Sequence, residues 1–253
     1  MPRKPNKLKL KSPPIVEAVL DIDCDMRGDF DPLAVETHAA ERLRPDYPKT
    51  RRRFMQEIEV EAKPGVAPQA TAREAVQALQ FLHDDERQLA QIRPQGFSFN
   101  RLAPYSSLDD YLPEIERTWR LFVSIVAPIR IRLIRLRYIN RFLLPMRNSK
   151  VDFAEYFALP PRWPEEERFA LAGFFDRRSL RDEQTQEIVN IATTFQPDDG
   201  KNLPVILDIE AVRQGEVDCA DWHEIHSRIE SLRVLKNHVF AESLTKKCLR
   251  LFR

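Results

Sequence analysis

The chain has 253 residues, 43% of them hydrophobic and 31% charged, with a formal net charge of +1. A chain of this length buries about three quarters of its unfolded surface and needs no metal or disulfide to hold a core, while its charge balance excludes the global positive field that drives nonspecific nucleic-acid binding. The three cysteines, Cys24, Cys219 and Cys248, are odd in number and form no Cys-x-x-Cys pair, which argues against a disulfide framework or a zinc ribbon.

Residues 1–14, "MPRKPNKLKLKSPP", carry Arg3, Lys4, Lys7, Lys9 and Lys11 and lack the apolar segment of a signal peptide. They read as a flexible basic tail ahead of one α+β domain spanning 15–253. No apolar run approaches the roughly 18 residues that span a bilayer, so a reducing, cytoplasmic setting without membrane contact is expected.

In "PPIVEAVLDIDCD", Val16, Ala18, Leu20, Ile22 and Cys24 alternate with Glu17, Asp21, Asp23 and Asp25, the pattern of a half-buried strand with an acidic face. Residues 31–47 read as a helix, with Asp31 as N-cap and Pro32 in the first helical position. "FMQEIEVEAKPG" alternates as a second strand, and residues 64–75 read as a loop. Three antiparallel strands follow at about 76–83, 87–93 and 96–102. Leu108, Tyr111, Ile115, Trp119, Phe122 and Ile125 then recur at helical spacing, with Pro113 expected to kink that helix.

"IRIRLIRLRYINRF", residues 129–142, is a strand with a break in its alternation: odd positions are apolar up to Leu133, even ones from Ile134. A β-bulge at Leu133–Ile134 reverses side-chain parity and gathers Arg130, Arg132, Arg135, Arg137 and Arg141 on one face. Further strands are expected at about 168–177, 185–195 and 203–212, closed by a single helix over 220–251. The fold class is thus α+β, an antiparallel sheet of two related sub-sheets with long helices packed on one face. Residues 15–150 and 151–253 would form two similar halves.

Three strands carry acidic faces (Glu17/Asp21/Asp23, Glu57/Glu59/Glu61, Asp208/Glu210) against the one with arginines. Opposite charges on neighbouring strands contribute about 0.2 to 1 kcal/mol per pair, so such a face is stabilised without any ligand. A sharper alternative takes Glu59, Glu61 and Lys63 as the Glu-x-Glu-x-Lys pattern that resembles triphosphate tunnel metalloenzymes. In it Glu59, Glu61, Asp208 and Glu210 bind Mg²⁺ and the arginine stripe binds phosphate. His223 and His226, one helical turn apart, offer a weaker metal pair. The Asn-Arg pairs Asn100–Arg101 and Asn140–Arg141 suit either an anion contact or the capping of backbone groups at strand ends. Six glycines, none within two residues of another, remove the phosphate loops of nucleotide-binding folds, and no Gly-x-Ser-x-Gly elbow occurs.

"PPIVEAVLDI", "FNRLAPY", "LRYINRF", "LDIE" and "LKNHVFAESLT" together resemble a sporadically distributed family of functionally uncharacterised bacterial proteins of about 250 residues, with Arg137 to Arg141 the most specific segment. The resemblance implies a common fold and a bacterial cytoplasmic setting, and supplies no catalytic residues. The expectation is a non-enzymatic binding or regulatory module, without a cofactor, acting through a protein partner or as a homodimer. A toxin-neutralising or defence-associated role follows from the family's patchy occurrence. Arg137, Asn140 and Arg141 are then architectural or part of the contact surface. Metal-dependent phosphohydrolysis is the alternative, and nucleic-acid binding through the tail and Arg51 to Arg53 is a second.

Overall fold

β1 (Ile15–Asp25) buries Ala18, Leu20, Ile22 and Cys24 on one face and leaves Glu17, Asp21, Asp23 and Asp25 half-buried on the other. The computed structural model describes residues 10–28, 30–61, 69–148, 150–162, 171–197 and 200–252, with side chains described outside 57–61 and 69–73. α1 (Pro32–Leu43) starts where the Asp31 side chain accepts the Leu33 amide. β2 (Lys49–Glu61), β3 (Gln69–Leu82), β4 (Gln88–Arg93) and β5 (Gly96–Leu102) form a meander. α2 (Leu108–Val126) is capped by Ser107 and runs through Pro113 without interruption. β6 (Arg130–Pro145) leads through a 3-10 turn at Phe153–Glu155 to β7 (Phe175–Arg181), β8 (Ile188–Phe195) and β9 (Asn202–Val217), then α3 (Trp222–Ser243) and α4 (Lys246–Arg250).

The nine strands of the described residues form one antiparallel sheet in the order β2-β3-β4-β5-β1-β6-β9-β8-β7, which corrects the expectation of two sub-sheets. β6 joins the halves because it pairs with β1 on one side and β9 on the other. The layout nevertheless repeats: β1 pairs with β5 and β6 with β9, the first strand of each block beside its last, and the other strands fan outward to the edges.

α1, α2 and α3 all pack on one face of the sheet. Ala39 and Leu43, Ile115, Trp119 and Phe122, and Ile225, Ile229 and Leu232 meet Leu20, Ile22, Phe97, Phe99 and Leu136 in one apolar cluster. A second cluster, around Phe142, Leu144, Val205, Leu207, Phe240 and Cys248, lies under the C-terminal part of α3.

Several local expectations change. The extra residue of β6 is Arg132, since Asp23 pairs with Leu133 and Cys24 with Ile131, so the bulge precedes the expected position. β3 begins at Gln69, inside the stretch read as a loop, because pairing with β2 supplies order that its Ala and Gln residues do not signal. The closing helix breaks at Leu244, which is extended and bridges to Phe157, and Thr245 caps α4 anew. At the N-terminus, the Lys11 and Ser12 amides donate to the Phe252 carbonyl and Leu10 packs on the second cluster. Arg3, Lys4, Lys7 and Lys9 lie outside the described residues. Among the described residues, no helix is long and apolar enough to cross a membrane.

Candidate functional site

The arginine stripe lies near the middle of the sheet, on the face opposite α1, α2 and α3, and four of its five cations are held by carboxylates of the same chain. Arg130 Nε and Arg132 Nε reach the two oxygens of Asp25, at 2.7 Å and 2.9 Å, and Arg130 also meets Glu216 at 2.7 Å. Arg135 binds Asp23 at 2.8 Å, and Arg93, a cation missed in the sequence, binds the same carboxylate at 2.7 Å. Arg137 grips Asp208 with Nε and Nη2, and this fork holds its guanidinium above its ordinary pKa. Arg141 is exposed and makes no ion pair among the described residues. An anion entering here would have to displace a bonded carboxylate at each of four arginines, which disfavours the stripe as a phosphate site.

The two asparagines serve the backbone and the sheet. Asn140, buried on the helix-bearing face, donates to the carbonyls of Tyr138 and Leu207 at 3.2 Å and 3.0 Å. Asn100 sits in a polar ladder across the open face: Gln80 donates to Gln91, Gln91 to Asn100 and Asn100 to Glu17. Arg101 points to the other face, where it meets Asp85 at 3.1 Å and lies over the Tyr111 ring.

The proposed Mg²⁺ set does not assemble. β2 is an edge strand six places from β9 in the sheet, about 29 Å away at roughly 4.8 Å per strand. The side chains of Glu59 and Glu61 lie outside the described residues, Asp208 is committed to Arg137, and Glu210 accepts from Asn190 at 2.9 Å. Among the described residues, no three His, Cys, Asp or Glu side chains group as metal ligands; His226 lies 3.9 Å from Glu230 on its own helix. Three of the four cations of the basic cluster on β2 are similarly occupied, and Arg53 is exposed. Lys49 and Arg51 pair with Glu86, and Arg52 with Glu36.

A groove of about 580 Å³ lies on the helix-bearing face, between α3 and the β7–β8 hairpin. Cross-strand rungs make its floor: Leu180 beside Val189, Arg178 beside Ile191, and Asp176 beside Thr193, which in turn lies beside Leu207. One wall is a second stripe of α3, Leu235, His238, Val239 and Glu242, whose i, i+3, i+4, i+7 spacing brings them to one side of the helix. Phe157 and Leu159 close one end. Leu159 and Leu180 stay 69% and 51% exposed, so apolar surface remains uncovered at the rim. Sequence reading missed this groove because it depends on how far α3 stands from the sheet edge. Its only sequence trace is Leu235 and Val239 on α3, outside the buried positions 225, 229, 232, 236 and 240.

Lys236 occupies one of those buried positions, between the two apolar clusters. Its ammonium stands 3.5 Å from the centroid of the Tyr138 ring, and the Tyr138 hydroxyl is 2.7 Å from that of Tyr105. Burial, with Arg233 nearby, lowers the Lys236 pKa to about 7. Burial raises that of Tyr138 to about 12 and Tyr105 further still. Lys236 and Tyr138 are both buried, and the hollow that Tyr138 and Tyr105 line has a volume of about 10 Å³, room for one water at most, which makes the pair a structural seam. No family model, curated protein or solved structure matches the chain.

Proposed function

We propose that this protein is a non-enzymatic binding module that docks a protein partner in the groove between α3 and the β7–β8 hairpin. The observation that carries this reading is a groove of about 580 Å³ in which Leu159 and Leu180 stay exposed among charged and polar side chains. Uncovered apolar surface rimmed by polar groups marks interaction sites on soluble domains. The other candidate surface is internally neutralised, since four arginines of the stripe already hold carboxylates. A module of this kind acts by occupying its partner, the mode expected of a toxin-neutralising or defence-associated regulator.

The test is site-specific photo-crosslinking in the native host. A benzophenone residue replacing Leu180 is expected to yield a discrete adduct that the same probe at Leu143, exposed on the opposite face, does not give. Leu159→Asp in the groove-probe background is expected to abolish the adduct while the melting temperature stays within about 2 °C. Equal adducts from both positions, or none from either, would overturn the groove as the docking site.

A further inference from the structure

We infer that the segment the groove receives is a basic amphipathic helix; this deepens the docking reading above and rests on it. The first support is dimensional. α3 packs over β6 and β9, and the lane beside it runs over β8 and β7, two strand spacings or about 10 Å wide. Packed helices stand 8 to 10 Å apart, so this lane is the width of one more helix lying beside α3. The wall has the matching form: Leu235, His238, Val239 and Glu242 repeat as one helix repeats when it faces another. An inserted helix would set its apolar stripe against Leu235, Val239, Ile191, Val189 and Leu180.

The second support is charge. Arg178 is held by Asp176, and the Asp182 carboxylate accepts the amides of Gln184 and Thr185 in the hairpin turn. Glu183 on the hairpin and Glu242 on α3 are exposed, and neither side chain makes an ion pair among the described residues. Four carboxylates line the groove against two guanidiniums, those of Arg178 and Arg181. An occupant with Lys or Arg along both borders of its apolar stripe meets Glu183 on one wall and Glu242 on the other, whereas an acidic helix gains Arg181 on the hairpin and faces an excess of carboxylates over the groove as a whole.

The experiment uses the full chain and labelled synthetic peptides followed by fluorescence anisotropy. An 18-residue Leu/Lys amphipathic peptide, long enough to sustain a helix, is compared with its Leu/Glu counterpart and with a scrambled Leu/Lys sequence of identical composition. The Leu/Lys helix is expected to bind, shifting the methyl resonances of Val189, Ile191 and Val239. The Leu/Glu helix and the scrambled peptide are each expected to bind at least tenfold more weakly. The double variant Glu183→Lys/Glu242→Lys, both positions being exposed, is expected to keep its fold and weaken the Leu/Lys peptide about tenfold, reversing the preference toward Leu/Glu. Equal affinity for the scrambled peptide, methyl shifts elsewhere in the protein, or no effect of charge reversal would each overturn the inference. A positive Leu180 crosslink with no peptide preference would leave a docking groove whose occupant is not a basic helix. Absence of both signals would remove the docking reading itself.

Discussion

Asp23 and Lys236 are the side chains whose surroundings ask most of them. Asp23 is only 14% exposed and neutralises both Arg93 and Arg135. Its removal leaves the two guanidiniums with the longer contacts to Asp21, at 3.6 Å and 3.5 Å, and one of them has a buried Nε without a hydrogen-bond partner among the described residues. Asp23→Ala is expected to lower the unfolding free energy by about 3 kcal/mol, measured by urea denaturation. Arg130→Ala, at an exposed pair, is expected to leave the midpoint unchanged; equal effects would show that the inner network is no more demanding than the rim. Lys236 carries its penalty in the opposite sense. Its folded pKa of about 7 lies below the unfolded value of 10.5, so between these two pH values the unfolded chain binds more protons and stability rises with pH. Tyr138 and Tyr105, facing it from β6 and the loop after β5, stay protonated there, and Arg233 stays cationic beside Asp109 and Glu230. The shift corresponds to a penalty on the order of 4 kcal/mol, of which the ring contact returns about 2. Lys236→Met is therefore expected to stabilise by about 2 kcal/mol at pH 7 and by progressively less toward pH 10. A gain that does not change with pH would remove the titrating lysine as its cause.

Elements whose side chains alternate at the period of a strand, or recur at that of a helix, were legible in the sequence, and those that depend on a distant partner were not. β1 and β9 show their buried faces directly in "AVLDIDC" and "VILDIEA", and α2 shows its stripe from Leu108 to Ile125. The start of β3 and the exposed apolar pair Phe54 and Met55 on β2 belong to an edge hairpin whose order comes from mutual pairing. The break between α3 and α4 is invisible because Leu244 continues the apolar spacing while its backbone turns away to meet Phe157. Of the candidate site, the arginine stripe could be foreseen from parity, but the groove, built from Leu180, Val189 and Val239, unites residues far apart in the chain. A tight point within these elements is the turn from β4 to β5. Gly96 sits at φ +148°, and a Cβ there would lie 2.1 Å from the Ile22 carbonyl oxygen on β1. That atom is backbone and cannot give way, so Gly96→Ala is expected to cost more than about 3 kcal/mol or to prevent folding. An alanine variant with an unchanged melting temperature would show that β1 and the turn separate without loss.

At the scale of the whole molecule, the repeated strand layout invites the view of two independent halves, and the connections between them argue otherwise. β6 is shared by both blocks of the sheet, and α3 crosses from the first apolar cluster to the second, contributing Ile225, Ile229 and Leu232 to one and Phe240 to the other. Separating the blocks would expose two new sheet edges, which present unpaired amides and carbonyls to water and to other chains. The polar seam of Tyr138, Lys236 and Asn140 divides the apolar packing without dividing the backbone that carries it. The three thiols report on both sides. Cys24 and Cys219 are neighbours in the first cluster, and Cys248 lies in the second. All three are buried, and burial also raises the Cys248 thiol to about 12 and helps raise that of Cys24, so neither offers a reactive thiolate in the native state. Pulsed alkylation across a urea gradient, read peptide by peptide, is expected to label the three with one common midpoint, because a cooperative unit exposes both clusters together. Labelling of Cys248 at a lower urea concentration than Cys24 would show that the half bearing the groove opens alone, and that the repeated layout is also a division of stability.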